Sequence, residues 1–385
     1  MRFAVDAHAI GRHQTGNEVY IRSLLNAFAS QARDCEFVAY VSTDTARDVI
    51  PPSIPTRRVA ANPFRRLGVD LAARLRQDRP DLLHVQYTAP VACPTPVVAS
   101  VHDVSFLEHP EYFTRDRAVQ LRWTVRRTVR RAARVLTGCE FSKQAILKAY
   151  SDLDERKVVV VPYAAAPEFR PLPRETARTA VLERFSISGP FILNVGDLQP
   201  RKNQIGLIKA FAKLVRAYPQ IKHKLALAGK DTWFAGRVRE AAHDSGVADR
   251  IHFFGFVTDD DLLRLYNACD LFAFPSFYEG FGLPALEAMA CGRAVVCSST
   301  SALPEVVDGA AILTDPYSVD EMARAMADLL LDSEMRARTE RLGQRRAAVF
   351  NWQKTAQRTL EVYREVVEHP ALTVEAVGSS TMARR

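Results

Sequence analysis

The sequence predicts an α/β protein made of two doubly wound domains. A chain of 385 residues is longer than one hydrophobic core usually supports, which favours two or more domains. Short runs of β-branched and other apolar residues recur along it and alternate with longer segments of helical periodicity. Such runs are typical of parallel strands buried on both faces, and two sets of them indicate two parallel sheets.

The strand-like runs fall into two sets that a proline-rich stretch separates. The predicted strands are 2–6, 36–41, 82–86, 97–102, 135–137 and 158–161 in the first set, and 191–195, 224–228, 251–254, 271–274, 294–297 and 311–313 in the second. Four prolines between positions 162 and 173 interrupt the chain between the sets. We therefore predict a first domain over 1–175 and a second over 176–350. A helix at 351–368 is expected to pack back on the first domain, and 369–385 to form a disordered tail.

The composition is that of an ordinary globular protein in a reducing compartment. Hydrophobic residues make up 48% of the chain and charged residues 25%. No apolar run reaches the roughly 18 residues of a membrane-spanning helix, and the first residues resemble a strand rather than a signal peptide. The six cysteines are scattered without a CxxC pair, which argues against a zinc site or a disulfide framework. We expect a cytoplasmic protein.

The positive charge lies entirely in the first half of the chain. Residues 1–180 hold 27 Lys and Arg against 19 Asp and Glu, whereas residues 181–385 hold 25 of each. The segment 115–134 carries eight arginines and one acid, with Leu121, Val125 and Val129 spaced for one buried helix face. Nucleic acid is disfavoured, because no zinc-finger spacing or RNP-like motif occurs. The basic helix instead predicts peripheral attachment to the anionic inner surface of the membrane.

Residues 279–287 have the pattern of a loop that leads into a helix and binds an anion. Gly280 and Gly282 let the backbone approach a ligand closely, and Pro284 suits the first turn of a helix. The free N–H groups and the positive end of the helix dipole favour a diphosphate. Glu287 lies one turn into the helix, and its side chain leans back toward the helix start. A carboxylate there can accept from the two hydroxyls of a ribose.

A pair of cations precedes another predicted helix, over about 204–218. Asn203 is predicted as its N-cap, and Ser142 as the N-cap of an earlier helix. Arg201 and Lys202 at this helix start would meet a diphosphate and stabilise the charge that develops on a leaving group. The residues therefore predict an anion site at the carboxyl edge of the second sheet.

Several segments together resemble one known family. The segment FPSFYEGFGLPALEAMACGRAVV, residues 274–296, resembles the signature of glycosyltransferase family 4, in which seven residues separate two glutamates, here Glu279 and Glu287. Further matching segments, in the family's order, are SVHDVSFLEHPEYF (100–113), LTGCEFSKQAI (136–146), VGDLQPRKN (195–203), LALAGK (225–230), FFGFVTDDDLLRLYNACD (253–270) and SALPEVV (301–307). The resemblance covers about residues 1–368. It implies the GT-B fold, two Rossmann-like domains that face a central cleft, with the acceptor on the first and the nucleotide sugar on the second.

The resemblance also implies roles for individual residues. Glu279 is expected to accept from hydroxyls of the donor sugar. Arg201 and Lys202 are expected to neutralise the leaving diphosphate, although Asp197 stands where the family often has an arginine. His102, which ends a predicted strand at a ligand-binding edge, is expected to contact the donor sugar or the reacting centre. Further donor contacts are expected at Gly16, Val257, Gly280, Phe281, Gly282, Leu283 and Glu287, and Asp103 and Glu305 are open candidates.

The function that the resemblance predicts is retaining transfer of a hexose from a nucleotide diphosphate donor to a saccharide or lipid-linked acceptor. We expect a front-face displacement in which the leaving phosphate takes the acceptor's proton. The VHDVSF and PRKN variants resemble mannosyl- and rhamnosyltransferases of bacterial polysaccharide assembly, which favours mannose or rhamnose and a GDP-linked donor. We expect neither a metal nor another cofactor, since the protein's own cations can stabilise the leaving group.

Two alternatives of different classes remain at this point. One is another GT-B enzyme, a sugar-nucleotide epimerase or a glycogen-type synthase. The His-Asp segment and the short chain favour a transferase with a small acceptor instead. The other is a non-catalytic protein that binds a nucleotide sugar or a polyanion. The complete set of expected catalytic positions argues against it.

Overall fold

The structure, a computed structural model, describes residues 1–12, 15–32 and 34–369. The chain forms two compact units. The first unit consists of Met1–Tyr163 together with the chain from Asn351 onward, and the second unit is Ala164–Phe350. The second unit is thus continuous in sequence, whereas the first is made of two separate segments.

The boundary between the units lies before the proline-rich stretch ends. The sequence prediction set the boundary after residue 175, whereas the second unit begins at 164. Its first residues are tied to the unit by an asparagine, because Leu172 N donates to Asn267 Oδ1 at 2.7 Å and Asn267 Nδ2 donates to the Arg170 carbonyl at 3.0 Å. These bonds explain why a segment rich in prolines belongs to a packed unit rather than to a linker.

The first unit is built on a seven-stranded parallel sheet. Its strands are β1 Arg2–Asp6, β2 Glu36–Val41, β3 Thr56–Arg58, β4 Leu82–Gln86, β5 Val97–Ser100, β6 Arg134–Thr137 and β7 Val158–Val160. They lie in the order β3-β2-β1-β4-β5-β6-β7, so the order reverses between β1 and β4. The helices are α1 Thr15–Gln31, α2 Ala46–Val49, α3 Pro63–Arg65, α4 Leu71–Asp78, α5 Ser105–Glu108, α6 Arg115–Arg131 and α7 Glu140–Ala149.

The core of the first unit follows the apolar pattern of the sequence. Every residue of β4 and β5 is buried, as expected for strands covered by helices on both faces. On the outside of the sheet, α6 buries Leu121, Val125 and Val129, the apolar stripe that its sequence predicts. This packing leaves the opposite side of α6 to its arginines.

The second unit repeats this architecture with six parallel strands. They are β8 Phe191–Val195, β9 Lys224–Ala228, β10 Ile251–Gly255, β11 Leu271–Phe274, β12 Val295–Ser298 and β13 Ile312–Thr314, in the order β10-β9-β8-β11-β12-β13. The order reverses between β8 and β11. The helices are α8 Arg174–Phe185, α9 Gln204–Ala217, α10 Ala235–His243, α11 Asp259–Ala268, α12 Leu283–Ala290, α13 Leu303–Val307, α14 Val319–Leu331 and α15 Ser333–Ala347. The prediction of two doubly wound α/β domains is confirmed.

The last helix, α16 Trp352–Glu368, belongs to the first unit and packs on α1 and β4. It buries Trp352, Leu360 and Tyr363 almost completely. Burial of a large apolar side chain contributes roughly 1.5–3 kcal/mol, so these three residues alone hold the helix firmly. The predicted disordered tail lies, from residue 370 onward, outside the described residues.

Three local predictions differ from the structure. All twelve predicted strands overlap an observed one, but β3 was missed, because two of its three residues are arginines at the edge of the sheet. The strand predicted over 97–102 ends at Ser100, so His102 lies in the loop beyond it. Ser142 is not an N-cap. The cap of α7 is Cys139, whose sulfur accepts from Ser142 N, and Ser142 Oγ donates to the His102 carbonyl at 3.2 Å.

Candidate active site

Each sheet reverses its strand order once, and the reversals mark the positions where ligands are expected. At such a point the helices that follow the two strands leave on opposite faces, so a crevice opens at the carboxyl ends of the strands. In the second unit, the loops after β8 and β11 contain Lys202 and Glu279. In the first unit, the loops after β1 and β4 contain His8 and Tyr87.

The loop after β8 carries two cations on a tight turn. Pro200–Lys202 forms a 3₁₀ turn, and Asn203 then adopts the left-handed conformation, with φ of 54°. The Asn203 side chain accepts from Gly206 N at 3.2 Å, which confirms the predicted N-cap of α9. Its amide nitrogen donates to the Pro275 carbonyl at 3.1 Å, just beyond β11. The cation turn is therefore fixed against the neighbouring strand end.

Arg201, Lys202 and Glu279 form an ion cluster, defined here by these three residues. Lys202 Nζ donates to Glu279 Oε1 at 2.7 Å, and Arg201 Nη1 donates to Glu279 Oε2 at 2.7 Å. Lys202 is 8% exposed and Glu279 6%. Burial alone would raise the pKa of Glu279, but the charges of Arg201 and Lys202 outweigh burial and lower it to about 2. Glu279 is therefore ionised and pairs with both cations.

The aliphatic part of Lys202 lies on the backbone where β8 ends. A Cβ on Gly196 would come within 3.1 Å of the Lys202 side chain, and Lys202 Nζ lies 4.8 Å from the centre of the Phe274 ring. At the end of the adjacent strand β9, a Cβ on Gly229 would lie 2.1 Å from the Gly196 carbonyl oxygen, so only glycine fits there. The close packing of the Lys202 side chain on the backbone thus restricts its conformation and directs its Nζ to Glu279.

The helix α12 begins beside this cluster. Its N-cap, Gly282, has φ of 102°, and a Cβ there would lie 2.5 Å from Leu303 Cδ2, so glycine is required. Pro284 occupies the first turn, as predicted. Glu287 is 5% exposed, and its Oε2 accepts from the Tyr266 hydroxyl at 3.0 Å. The loop and the helix start therefore bring the positive end of a helix dipole and an oriented carboxylate close together.

The other predicted donor residues lie around this loop at different depths. Gly280 and Phe281 are buried, and the Phe281 ring meets Phe350 edge-on, with ring centres 5.7 Å apart. Leu283, the first residue of α12, is half-buried, as is Val257 in the turn after β10. Glu305 is exposed on α13, where Arg346 holds its backbone carbonyl at 2.8 Å.

In the first unit, His102 lies in a network of uncharged groups. Its Nδ1 is 2.7 Å from the Tyr163 hydroxyl, and its Nε2 is 2.9 Å from Gln86 Oε1. Burial lowers the pKa of His102 to about 4, so the ring is neutral at physiological pH. With Nε2–H donating to the amide oxygen, Nδ1 accepts from the tyrosine. Both ring nitrogens are engaged, which fits a positioning role better than proton transfer.

A second histidine lies on the preceding strand, next to this network. His84 Nε2 is 2.7 Å from Ser100 Oγ, which is also 2.8 Å from the Tyr20 hydroxyl. His84 Nδ1 is hydrogen-bonded to Tyr363 of α16. Burial, together with the charge of His102, lowers the pKa of His84 to about 3. His84, Ser100 and the two tyrosines therefore form an uncharged hydrogen-bond network next to His102.

Two residues predicted for the site, Asp103 and Gly16, lie at the starts of helices in the first unit. Asp103 Oδ1 accepts from Ser105 N at 2.9 Å and from Ser105 Oγ at 2.6 Å, which orders the start of α5. Gly16, expected to contact the donor, lies in the first turn of α1, within the segment 11–17, and is exposed. Of the same segment, residues 13 and 14 lie outside the described part of the chain.

Sequence reasoning missed an ion pair at the reversal point of the first sheet. Arg66 donates to Asp6 Oδ2, and His8 Nδ1 lies 3.1 Å from Asp6 Oδ1. Burial opposes ionisation of Asp6, but Arg66 and His8 hold its pKa well below the usual range. Nearby, Tyr87 at the end of β4 has φ of 59°, a strained conformation that is common at functional sites. Only the position of Asp6 at the end of β1, with His8 two residues later, signals this feature in the sequence.

Comparison with known proteins gives the family. Residues 15–168 match the description "Glycosyltransferase Family 4", and residues 184–346 match "Glycosyl transferases group 1". O-antigen chain mannosyltransferase B of Escherichia coli is 32% identical over 269 residues, which cover 69% of this chain and 70% of that protein. This chain is a glycosyltransferase. Serotype-specific mannosyltransferase WbdA of E. coli is also 32% identical, over 66% of this chain and 31% of that longer protein.

Solved structures place the glycosyltransferase in the GT-B fold. Sucrose-phosphate synthase from Thermosynechococcus elongatus aligns with a TM-score of 0.79 and 20% identity, over 96% of this chain and 99% of that one. HepE of Anabaena in complex with UDP and glucose aligns with a TM-score of 0.73 and 21% identity, over 94% and 98% of the two chains. The predicted resemblance to family 4 and the predicted GT-B fold are both confirmed.

The enzyme is a hexosyltransferase. The rival interpretations, an epimerase and a non-catalytic binding protein, find no support. Within residues 1–12, 15–32 and 34–369, no helix is long and apolar enough to cross a membrane.

Proposed function

We propose that this glycosyltransferase moves a mannosyl group from GDP-mannose, with retention of anomeric configuration, to a saccharide or lipid-linked saccharide in bacterial polysaccharide assembly. The ion cluster beside the start of α12 carries the proposal. It presents two cations to a diphosphate and a carboxylate to a sugar, while Glu287 offers a carboxylate to a ribose. Both E. coli relatives are mannosyltransferases, which favours mannose over rhamnose.

The proposed chemistry needs charge stabilisation more than acid–base groups. When the diphosphate enters, Arg201 and Lys202 donate to it while they remain beside Glu279, and Glu279 also accepts from sugar hydroxyls. The bond between the anomeric carbon and the phosphate oxygen breaks as the acceptor oxygen attacks from the same face. The acceptor's proton passes to the leaving phosphate, and GDP departs. Both cations stabilise the charge that develops on the diphosphate.

A double displacement is disfavoured by the state of the carboxylates. It would need a carboxylate nucleophile beneath the anomeric carbon. Glu279 is bonded by two cations, and Glu287 accepts from Tyr266. A front-face displacement uses these groups as they stand.

We propose that the transfer requires no metal. Two Asp-x-Asp spacings occur, at 152–154 and 259–261, and both lie at capped turns: Asp154 is itself a cap, whereas Thr258 caps the helix that contains Asp261. Asp154 accepts from Arg156 N at 2.9 Å, and Asp261 N donates to Thr258 Oγ1 at 3.1 Å. In the described part of the chain, no three His, Cys, Asp or Glu side chains are grouped as metal ligands. We expect turnover to survive excess EDTA, and a strict need for added magnesium or manganese would overturn this proposal.

The donor and the stereochemistry can be tested without the natural acceptor. The protein is incubated with GDP-mannose, UDP-glucose and dTDP-rhamnose, and nucleoside diphosphate release to water is measured. We expect the fastest release from GDP-mannose, with α-mannose as the first product by proton NMR. Preferred use of UDP-glucose would refute the donor assignment, and initial β-mannose would refute retention.

We also propose that the first unit docks on an anionic membrane surface through α6. On the side opposite the buried stripe, Val119 is 56% exposed and Trp123 69%. Exposed arginines surround this apolar pair at helical spacing, namely Arg115, Arg122 and Arg126. Each basic residue near an anionic leaflet contributes roughly 1 kcal/mol at low salt, and a tryptophan suits the lipid interface.

The docking test changes exposed arginines of α6. Arg127 donates to the Pro90 carbonyl at 3.2 Å, and Arg130 pairs with Asp152 at 3.0 Å, so both are left unchanged. The variant carries Gln at 115, 122 and 126, and a control carries Gln at the exposed arginines 338, 341 and 345 of α15. We expect salt-sensitive sedimentation with anionic liposomes that only the α6 variant loses. Equal recovery of the two variants would sink the proposal.

A further inference from the structure

An exposed tryptophan lies beside the ion cluster without a part in the proposed chemistry. Trp233 follows β9 and is 60% exposed, whereas Trp352 in the first unit is 3% exposed. On the adjacent strand end, Phe256 follows β10 and is 46% exposed. Large aromatic side chains usually gain stability by burial, so two exposed ones at one edge of a sheet point to a binding surface.

The backbone fixes Trp233 close to the cation turn. Beyond the sheet, the loops after β8 and β9 continue side by side, because Leu198 N donates to the Lys230 carbonyl at 2.9 Å and Leu198 forms a parallel bridge with Asp231. The Thr232 hydroxyl then donates to the Leu198 carbonyl. Trp233 is the next residue, and Leu198 precedes the Pro200–Lys202 turn by two positions.

At the carboxyl ends of the strands, Trp233 also lies next to the turn that contains Val257, because the ends of β9 and β10 are hydrogen-bonded. Gly229 N donates to the Gly255 carbonyl at 2.8 Å, which joins the end of β9 to the end of β10. Along the edge the order is therefore Phe256, Trp233, the two cations and Glu279. The ring of Trp233 meets the buried Phe234 edge-on, with centres 5.6 Å apart, which restrains the indole from one side.

We propose that Trp233 stacks on the nucleobase of the donor and gives the site a preference for a purine over a pyrimidine, with Phe256 bordering the base. This inference rests on the proposed function, since it assumes that the ion cluster holds the diphosphate. If the cluster holds the diphosphate and Glu279 the sugar, the nucleoside extends away from Glu279 along the edge, toward Trp233. A purine offers an indole a larger stacking surface than a pyrimidine does, so GDP gains more than UDP.

The test measures nucleotide binding by the full-length protein, with calorimetry for GDP and for UDP. Wild type, Trp233→Ala, Trp233→Phe and Phe256→Ala are compared, with Trp123→Phe as a control at an exposed tryptophan of the first unit. Base stacking changes affinity by about tenfold or more, so Trp233→Ala should raise the GDP Kd at least tenfold and the UDP Kd less. Trp233→Phe should restore most of the GDP affinity. The control should match wild type.

Fluorescence gives an independent reading, because the chain has only three tryptophans. GDP should quench the emission of wild type and of Trp123→Phe but not that of Trp233→Phe. A GDP Kd for Trp233→Ala within twofold of wild type would overturn the stacking role while leaving the proposed donor site intact. Wild type that binds neither GDP nor UDP would instead overturn the proposed function, and the stacking role with it.

Discussion

The candidate sites of the two units stand on similar sheets but differ in charge. In the second unit, the ionised carboxylate of Glu279 accepts from Lys202, whose pKa is lowered by burial, and each residue is less than a tenth exposed. In the first unit, His102 and His84 are neutral and are held by hydroxyl and amide groups. The Asp6–Arg66 pair of that unit carries no net charge.

The difference shows what the doubly wound architecture does and does not determine. It determines position, because both sites lie at or near the carboxyl ends of parallel strands. The side chains at those strand ends determine the ligand. Buried cations lose hydration free energy, which a diphosphate can offset, whereas neutral groups suit the hydroxyls of a saccharide.

The strongest test of the second-unit site is to remove a cation, or to remove Glu287, the carboxylate proposed to bind the ribose. Lys202→Ala and Glu287→Ala should each lower donor turnover at least about a hundredfold, because each removes a contact to the charged donor. Far-ultraviolet circular dichroism should remain unchanged. Lys209→Ala, at an exposed position of α9, serves as the control and should keep wild-type turnover. Turnover near that of wild type in either active-site variant would mean that the second-unit site is misassigned.

Stability tests the same cluster without substrate. Glu279→Gln leaves Lys202 buried without its anion, so the free energy of unfolding in urea should fall by about 3 kcal/mol. The folded-state pKa of Glu279, about 2, lies below its ordinary value of 4.5. Its stabilising contribution is therefore complete above pH 4.5 and is lost as the pH falls toward 2.

Added ligand supplies the control for that variant. Excess GDP should stabilise Glu279→Gln more than it stabilises wild type, because the diphosphate takes the place of the missing carboxylate. Equal stability of the variant and wild type without GDP would show that the cluster contributes little to the fold.

The smallest effect expected is on the pH dependence of the first unit. The folded-state pKa of His84, about 3, lies below the ordinary 6.5, so the unfolded chain binds a proton first. The contribution of neutral His84 to the free energy of unfolding is complete above pH 6.5. Below that pH the free energy of unfolding decreases by about 1.4 kcal/mol per pH unit. His84→Gln should be less stable at pH 7 but should show a shallower decline between pH 6 and 4 in urea unfolding. An identical decline would indicate that His84 is already charged in the folded protein.

Patterns local in sequence predicted most of the fold. The buried strands, the N-cap at Asn203 and the first turn of α12 each depend on neighbouring residues, which is why they were readable. Strand β3 was not, since an edge strand of three residues with two arginines has no apolar period.

The side-chain partners within the sites were beyond sequence reasoning. Lys202 and Glu279 were each identified, yet their bond spans 77 residues, and no spacing rule links a cation to one carboxylate at that distance. The Asp6–Arg66 pair spans 60 residues, and the unfavourable desolvation of both groups makes such pairs rare. Trp233 was absent from the predicted site residues because exposure, its informative property, is visible only in three dimensions.

The split of the first unit into two segments sets an order of events during synthesis. A ribosome adds roughly 5–20 residues per second, so about 10–40 s pass between the completion of Tyr163 and the appearance of Asn351. During that interval the first sheet exists without α16, and the apolar surface that Tyr363, Leu360 and Trp352 later cover is open to water. The second unit, whose segment is continuous, is fully synthesised once Phe350 is added, before any residue of α16. The nascent chain would therefore complete its later half first, and chaperones would meet the earlier half while it waits for its last helix.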